Sequence, residues 1–257
     1  MKKIYVCENN ITGILSAIYD AWKESRDADA GIEIRGFMEP RMFCEYAEVT
    51  ENELKARAVS RLIQKNMGYN TWWSVYHALL SRDTDRADAV FHVMCAARKI
   101  PSGRRIMEHL TNPDVAKVFE LDRRVSNEAH LFKEFIRFRE LENQVLFSEI
   151  SPDNHILVCI GDHFADRFPM ENWMIYDKTH EECILHRAHY KWVLVSGQEL
   201  NQDVLRRISD AESEYEQLWK TFFDTISIKE RENPKCQQTH LPLRYRADMT
   251  EFGPTIV

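Results

Sequence analysis

Near its C-terminus the chain reads ERENPKCQQTHLPLRYR over residues 230–246. Residues 229–246 hold Lys229, Arg231, Lys235, Arg244 and Arg246 against Glu230 and Glu232, a local +3 in a chain of formal net charge -7. Guanidinium forks and ammonium groups at this density are matched to phosphate oxygens. Beside them Asn233, Gln238 and His240 can donate and accept hydrogen bonds at base edges, and Tyr245 can stack. Pro234 and Pro242 stiffen the path and lower the entropy lost when such an arm is fixed against a ligand. The alternative carries equal weight: Leu241, Leu243 and Phe252 strap the segment over its own domain.

Three further constellations could do chemistry. In SNEAHLFKEFIRFREL, read as one helix, Glu128 and Arg139 fall at roughly 60° and 80° on the apolar face of Leu131, Phe132, Phe135 and Ile136. A partly buried Arg139 either pairs with an acid or awaits a phosphate or carboxylate. His130, Lys133 and Arg137 fall on the solvated side. In GDHFADRF, His163 precedes Asp166 by three residues, a spacing at which a carboxylate could tune an imidazole for acid or base work. The competing reading caps a short helix with Asp162 and leaves His163 on the surface. His180, His186 and His189 with Cys183 and Glu182 do not match a structural zinc spacing, and no metal site is expected.

The elements that must carry these residues divide by character. KKIYVC reads as a strand, and Ile11, Ile14, Leu15, Ile18 and Trp22 recur at helical spacing after it. Helical patterns dominate from Glu51 to about Leu141, broken at NMGYN, SRDTDR and KIPSGRR. VLFSEI, HILVCI, WMIYD, CILHR and KWVLV then read as the strands of a small antiparallel meander. From Asn201, Val204, Leu205, Ile208, Ala211, Tyr215, Leu218, Trp219, Phe222, Phe223 and Ile226 form a long amphipathic stripe, followed by an extended basic arm. The expected fold is α+β, a single unit over residues 1–257 with a weak subdivision into a mostly helical 1–125 and a mixed 126–257.

Composition narrows the function. The 257 residues are 44% hydrophobic and 29% charged, the profile of a globular protein. The first residues lack a continuous apolar run, so a cytoplasmic location is expected. None of the six cysteines forms a C-x-x-C pair, and the eight glycines include no phosphate-cradling motif, so no cofactor is expected. A chain this acidic lacks the global field of an autonomous nucleic-acid binder, and any such contact must be local.

The run TFFDTISIKERENPKCQQTHLPLRYRADMTEF resembles the C-terminal signature of a bacterial family of probable DNA metabolism proteins. NNITGILSAIYDAW, EAHLFKEFIRFREL and HFADRFPMENWMIYD agree with it. Members resemble partners of a radical-SAM DNA repair or modification protein, and similar domains are fused to uracil-DNA-glycosylase-like ones. The resemblance implies an accessory protein in DNA repair or base modification that binds DNA, single-stranded or damaged, and partners the radical-SAM enzyme. The absence of cluster cysteines makes this chain the partner. The nucleic-acid set on this reading is Arg139, Arg231, Asn233, Lys235, Gln238, His240, Arg244, Tyr245 and Arg246. The alternatives are a hydrolytic or glycosylase-like enzyme on a modified base, with His163, Asp166 or His240 catalytic and Tyr245, Trp173 and Trp192 as pocket aromatics, and a non-catalytic scaffold. Cys7-Glu-Asn-Asn10 departs from the aspartate-glycine turn that the resemblance leads one to expect.

Overall fold

The computed structural model describes residues 2–24, 29–37, 41–196, 209–226 and 233–252. It mixes helix with two sheets, and the chain divides into two compact units, Met1–Ser126 and Asn127–Val257.

The first unit opens with β1 (Lys2–Cys7) and α1 (Ile11–Glu24), the strand-then-helix entry expected from the sequence. β1 is the centre of a parallel sheet between β2 (Ala30–Ile34) and β3 (Cys44–Glu48). A central parallel strand is covered on both faces, which is why Ile4, Tyr5, Val6 and Cys7 are all buried in succession. Burial also pushes the Cys7 thiol up to about 12, leaving it an inert core residue. The two flanking strands were not read from the sequence, because each is five residues long. Asn10 accepts the Gly13 N–H at 2.7 Å, and Asn9 accepts from the buried Arg86 guanidinium at 2.5 Å. The Glu8-Asn9-Asn10 turn is thus held by its own unit.

Helices α2 (Glu53–Met67), α3 (Tyr69–Leu80) and α4 (Arg86–Ala97) follow, and their breaks coincide with those expected from the sequence. Gly68 joins α2 to α3 at φ +89, a conformation few other residues adopt. Their apolar stripes pack Val59, Ile63, Val90 and Phe91 with Ile14, Ile18 and Ile32 into the unit's core. Helix α5 (Pro113–Phe135) runs through the division at Ser126 and delivers its last turns to the second unit.

The second unit carries β4 (Arg139–Glu140), β5 (Leu146–Ile150), α6 (Leu157–Arg167), β6 (Trp173–Asp177), β7 (Glu182–His186) and β8 (Val193–Ser196). The sheet order is β4-β5-β6-β7-β8, with β5 and β6 parallel and the other neighbours antiparallel. It is therefore not the antiparallel meander expected. Parallel neighbours need a crossover, and HILVCI, expected as a strand, supplies the first turns of the crossover helix α6. A short apolar run has no period by which to choose between strand and buried helix.

Two more expectations are corrected in this unit. The helix expected to carry Arg139 ends at Phe135, and Arg139 lies on β4. The extended arm is helical, with α8 (Pro234–His240) and α9 (Leu243–Arg246) after α7 (Asp210–Ile226). Pro234 occupies the first helical turn behind the cap Asn233, a position where proline starts a helix instead of breaking it. The expected stripe residues Val204, Leu205 and Ile208 lie outside the described residues. Among the described residues no helix is long and apolar enough to cross a membrane.

Candidate functional site

The β4–β5 register sets Arg139 opposite Phe147, and the guanidinium carbon lies 5.2 Å from the centre of the Phe147 ring. Two residues along β5, on the same face, Glu149 approaches Arg139 at 3.8 Å. Around them Arg137, Lys178, Glu216, Lys220 and Asp248 help to line a cavity of about 210 Å³. Each lining cation arrives on a different element or turn. Arg137 follows α5 and donates to Glu251 at 2.9 Å, Lys178 begins the β6–β7 turn and donates to Asp248 at 2.5 Å, and Lys220 lies on α7. Lys220 makes no ion pair among the described residues. Four cations and three carboxylates thus face one opening, an arrangement able to hold a ligand that is anionic at one end and a hydrogen-bond donor at the other. The sequence reading had found Arg139 alone of these. Arg137, expected in solvent, is half-buried, and nothing in the local pattern ties Lys178 or Lys220 to it.

The residues of the supposed arm have a different setting. Glu128, expected on the apolar face of its helix, is 3% exposed and accepts from the backbone N–H groups of Asp153 and Asn154 at 2.9 and 3.0 Å and from Asn154 Nδ2 at 2.6 Å. Arg244 is ion-paired to Glu128 at 3.4 Å and to Asp153, and it donates to the Tyr245 hydroxyl at 2.5 Å. Tyr245, expected to stack on a base, is 3% exposed with its ring edge-on to Phe132 at 4.9 Å. Burial pushes its hydroxyl above the usual tyrosine range. Arg246 lies over Phe252, and Asn233 accepts from the Cys236 N–H. The anchors of this strap are Tyr245 and Met249, both buried, while Leu243, expected to anchor, is exposed. Lys235, Gln238 and His240 are exposed on α8, and Arg231 lies outside the described residues.

A family model described as a domain of unknown function, DUF4130, matches residues 84–251. The chain belongs to the DUF4130 family. No curated protein matches it. The DUF4130 stretch contains every residue that lines the cavity and all of the Glu128–Arg244 cluster.

The catalytic candidates in the DUF4130 stretch form no hydrogen-bonded set among the described residues. His163 and Asp166 share α6, yet neither hydrogen-bonds nor ion-pairs with the other among the described residues. His163 is half-buried with Nε2 unpartnered, and burial holds its imidazole below the usual histidine range, with Lys133 and Arg167 adding to the effect. His240 is exposed at the end of α8. Asp162, expected to cap the helix, lies inside it and accepts from Trp192 Nε1 at 2.7 Å. The Trp192 indole covers Gly161 so closely that a Cβ there would sit 2.5 Å from the ring. Trp173 is buried and stacked on His186 at 4.8 Å.

One pair of histidines escaped the sequence reading. The rings of His155 and His180 are 3.8 Å apart, with His180 on Asp177 at 2.6 Å and His155 on Glu182 at 3.4 Å. The hydrogen bond to His155 holds the Glu182 carboxyl below the usual carboxylate range. Residues 155 and 180 belong to separate turns at one end of the sheet, and no spacing rule links them. Among the described residues no three His, Cys, Asp or Glu side chains are grouped so as to hold a metal ion.

Proposed function

We propose that the DUF4130 unit is an accessory module in DNA repair or base modification that holds a nucleotide of single-stranded or damaged DNA at the Arg139 cavity and partners a radical-SAM enzyme. The observation that carries this reading is the convergence of Arg137, Arg139, Lys178 and Lys220 on one opening beside Glu149, Glu216 and Asp248. The cations suit phosphate oxygens, and the carboxylates suit the exocyclic amino groups of bases. Lys235, Gln238 and His240 are exposed on α8 and offer further polar groups that a strand could contact. The resemblance to probable DNA metabolism proteins supports the same direction and supplies the radical-SAM partner. Arg244, Tyr245 and Asn233 leave the binding set, since each is engaged within its own unit.

Fluorescence anisotropy with a labelled single-stranded oligonucleotide across a salt series tests the reading. Arg139→Ala/Lys220→Ala should bind about tenfold more weakly and lower the salt slope by about one to two. Wild-type affinity in that variant would remove the cavity from the function. The hydrolytic alternative has less support, because among the described residues Asp166 acts on His163 through its charge without a hydrogen bond, and His240 is exposed on α8.

A further inference from the structure

An amphipathic helix on a folded unit normally turns its apolar stripe inward. On α7 four large apolar side chains face outward. Tyr215 is 68%, Leu218 64%, Trp219 42% and Phe222 53% exposed. At the helical 100° per residue these four side chains fit within roughly 100° of arc, one continuous stripe three to four residues apart. Among the described side chains of α7 the partly buried ones are charged: Glu216 and Lys220 line the cavity, and burial raises the Glu212 carboxyl. The stripe from Tyr215 to Phe222 is exposed beside them. Single exposed apolar residues are ordinary, but a contiguous stripe of Tyr, Leu, Trp and Phe marks a binding surface.

Charge selects the occupant. The sequence of α7 contains Asp210, Glu212, Glu214, Glu216 and Asp224 against Lys220, and Glu214 is exposed at the margin of the stripe. Two copies of this helix laid face to face, each with five acids against one lysine, would bring like charge together, which costs energy at a desolvating interface. Anionic lipid would be repelled by the same excess of acids, whereas helices that lie on membranes carry Lys and Arg on their polar face. We infer that α7 is the insertion helix of a protein–protein interface whose partner offers an apolar groove rimmed by lysine and arginine. This surface is separate from the Arg139 cavity and does not depend on what the cavity holds.

The test uses the full chain and a labelled amphipathic peptide of about five helical turns, with leucines at i, i+3, i+4 and i+7 and lysines along both margins. A second peptide keeps the leucines and replaces every lysine by glutamate. The lysine peptide should bind, and Leu218→Ser/Phe222→Ser should weaken it at least about tenfold. Glu214→Lys, which leaves the stripe intact, should weaken it about threefold. Circular dichroism and the melting temperature should be unchanged in both variants, since the altered side chains are exposed. Equal binding of the two peptides, or undiminished binding by the double serine variant, would overturn the proposal. So would a wild-type dimer in light scattering that the double serine variant dissolves, or binding of the protein to phosphatidylcholine vesicles in place of the lysine peptide. Oligonucleotide binding should be the same in wild type and double serine variant, so failure here and failure of the cavity reading are told apart.

Discussion

Arg244 and Arg139 were equivalent in the sequence, each an arginine beside an aromatic residue in a stretch suited to anions, and the fold gives them opposite circumstances. Arg244 is ion-paired to Asp153 and Glu128 and donates to the Tyr245 hydroxyl, so its contacts serve the strap. Arg139 has a 3.8 Å contact with Glu149 and faces an opening that it shares with Arg137, Lys178 and Lys220. The difference teaches that the setting of an arginine is decided by the elements brought to it from a distance: Glu128 from the last turns of α5 and Asp153 from the β5–α6 loop tie Arg244 to the strap.

The comparison can be broken most forcefully on the strap side. Tyr245→Ala should destabilise the second unit by about 3 kcal/mol, because it empties a buried site against Phe132 and Phe135. Glu128→Gln should cost about 2 kcal/mol, since the carboxylate is the acceptor for two backbone N–H groups and Asn154. Both are read from urea unfolding of the full chain, and oligonucleotide affinity measured well below the transition should stay within about twofold of wild type. Arg139→Ala should do the opposite, altering stability by less than about 1 kcal/mol while weakening oligonucleotide binding about fivefold. If Arg244→Ala lowered affinity as much as Arg139→Ala at unchanged stability, the distinction between strap and site would collapse.

The smallest effect concerns pH. A histidine whose folded pKa is held down by burial takes up its proton more readily when unfolded, so it costs stability as pH falls below about 6.5 toward the folded value. His163→Gln removes that proton uptake. Its stability should accordingly fall less steeply than that of wild type between about pH 7 and pH 5. Parallel curves would show that the imidazole does not titrate differently on unfolding.

Much of the helical framework was legible in the sequence. The period of α2, α3 and α4 is long enough to read, and the breaks at Gly68 and Ser81 are chemical. Five-residue strands such as β2 and β3 offer too few alternations, and HILVCI shows that burial on all sides erases the period that separates helix from strand. Prolines misled in the arm, because Pro234 and Pro242 stand just before or inside first turns, where a missing N–H costs nothing. At the candidate site Arg139 stands out in the sequence by its place on the apolar face of an expected helix, and that helix ends at Phe135, before it. Lys178 and Lys220 do not stand out, since a turn lysine and a helix lysine reach one cavity only through sheet topology. Glu128 was legible for the opposite reason: a carboxylate on an apolar stripe must find donors, and it did.

Gly161 and Trp192 make one object out of two positions. A methyl group at 161 would enter the space of the indole, and a smaller ring at 192 would leave the helix face bare and Asp162 without its donor. A glycine inside a helix costs about 1 kcal/mol relative to alanine, so position 161 is held against a standing pull toward alanine. A side chain at 161 therefore needs a smaller residue at 192 first, and across related chains a residue larger than glycine at 161 should occur only where 192 is not tryptophan.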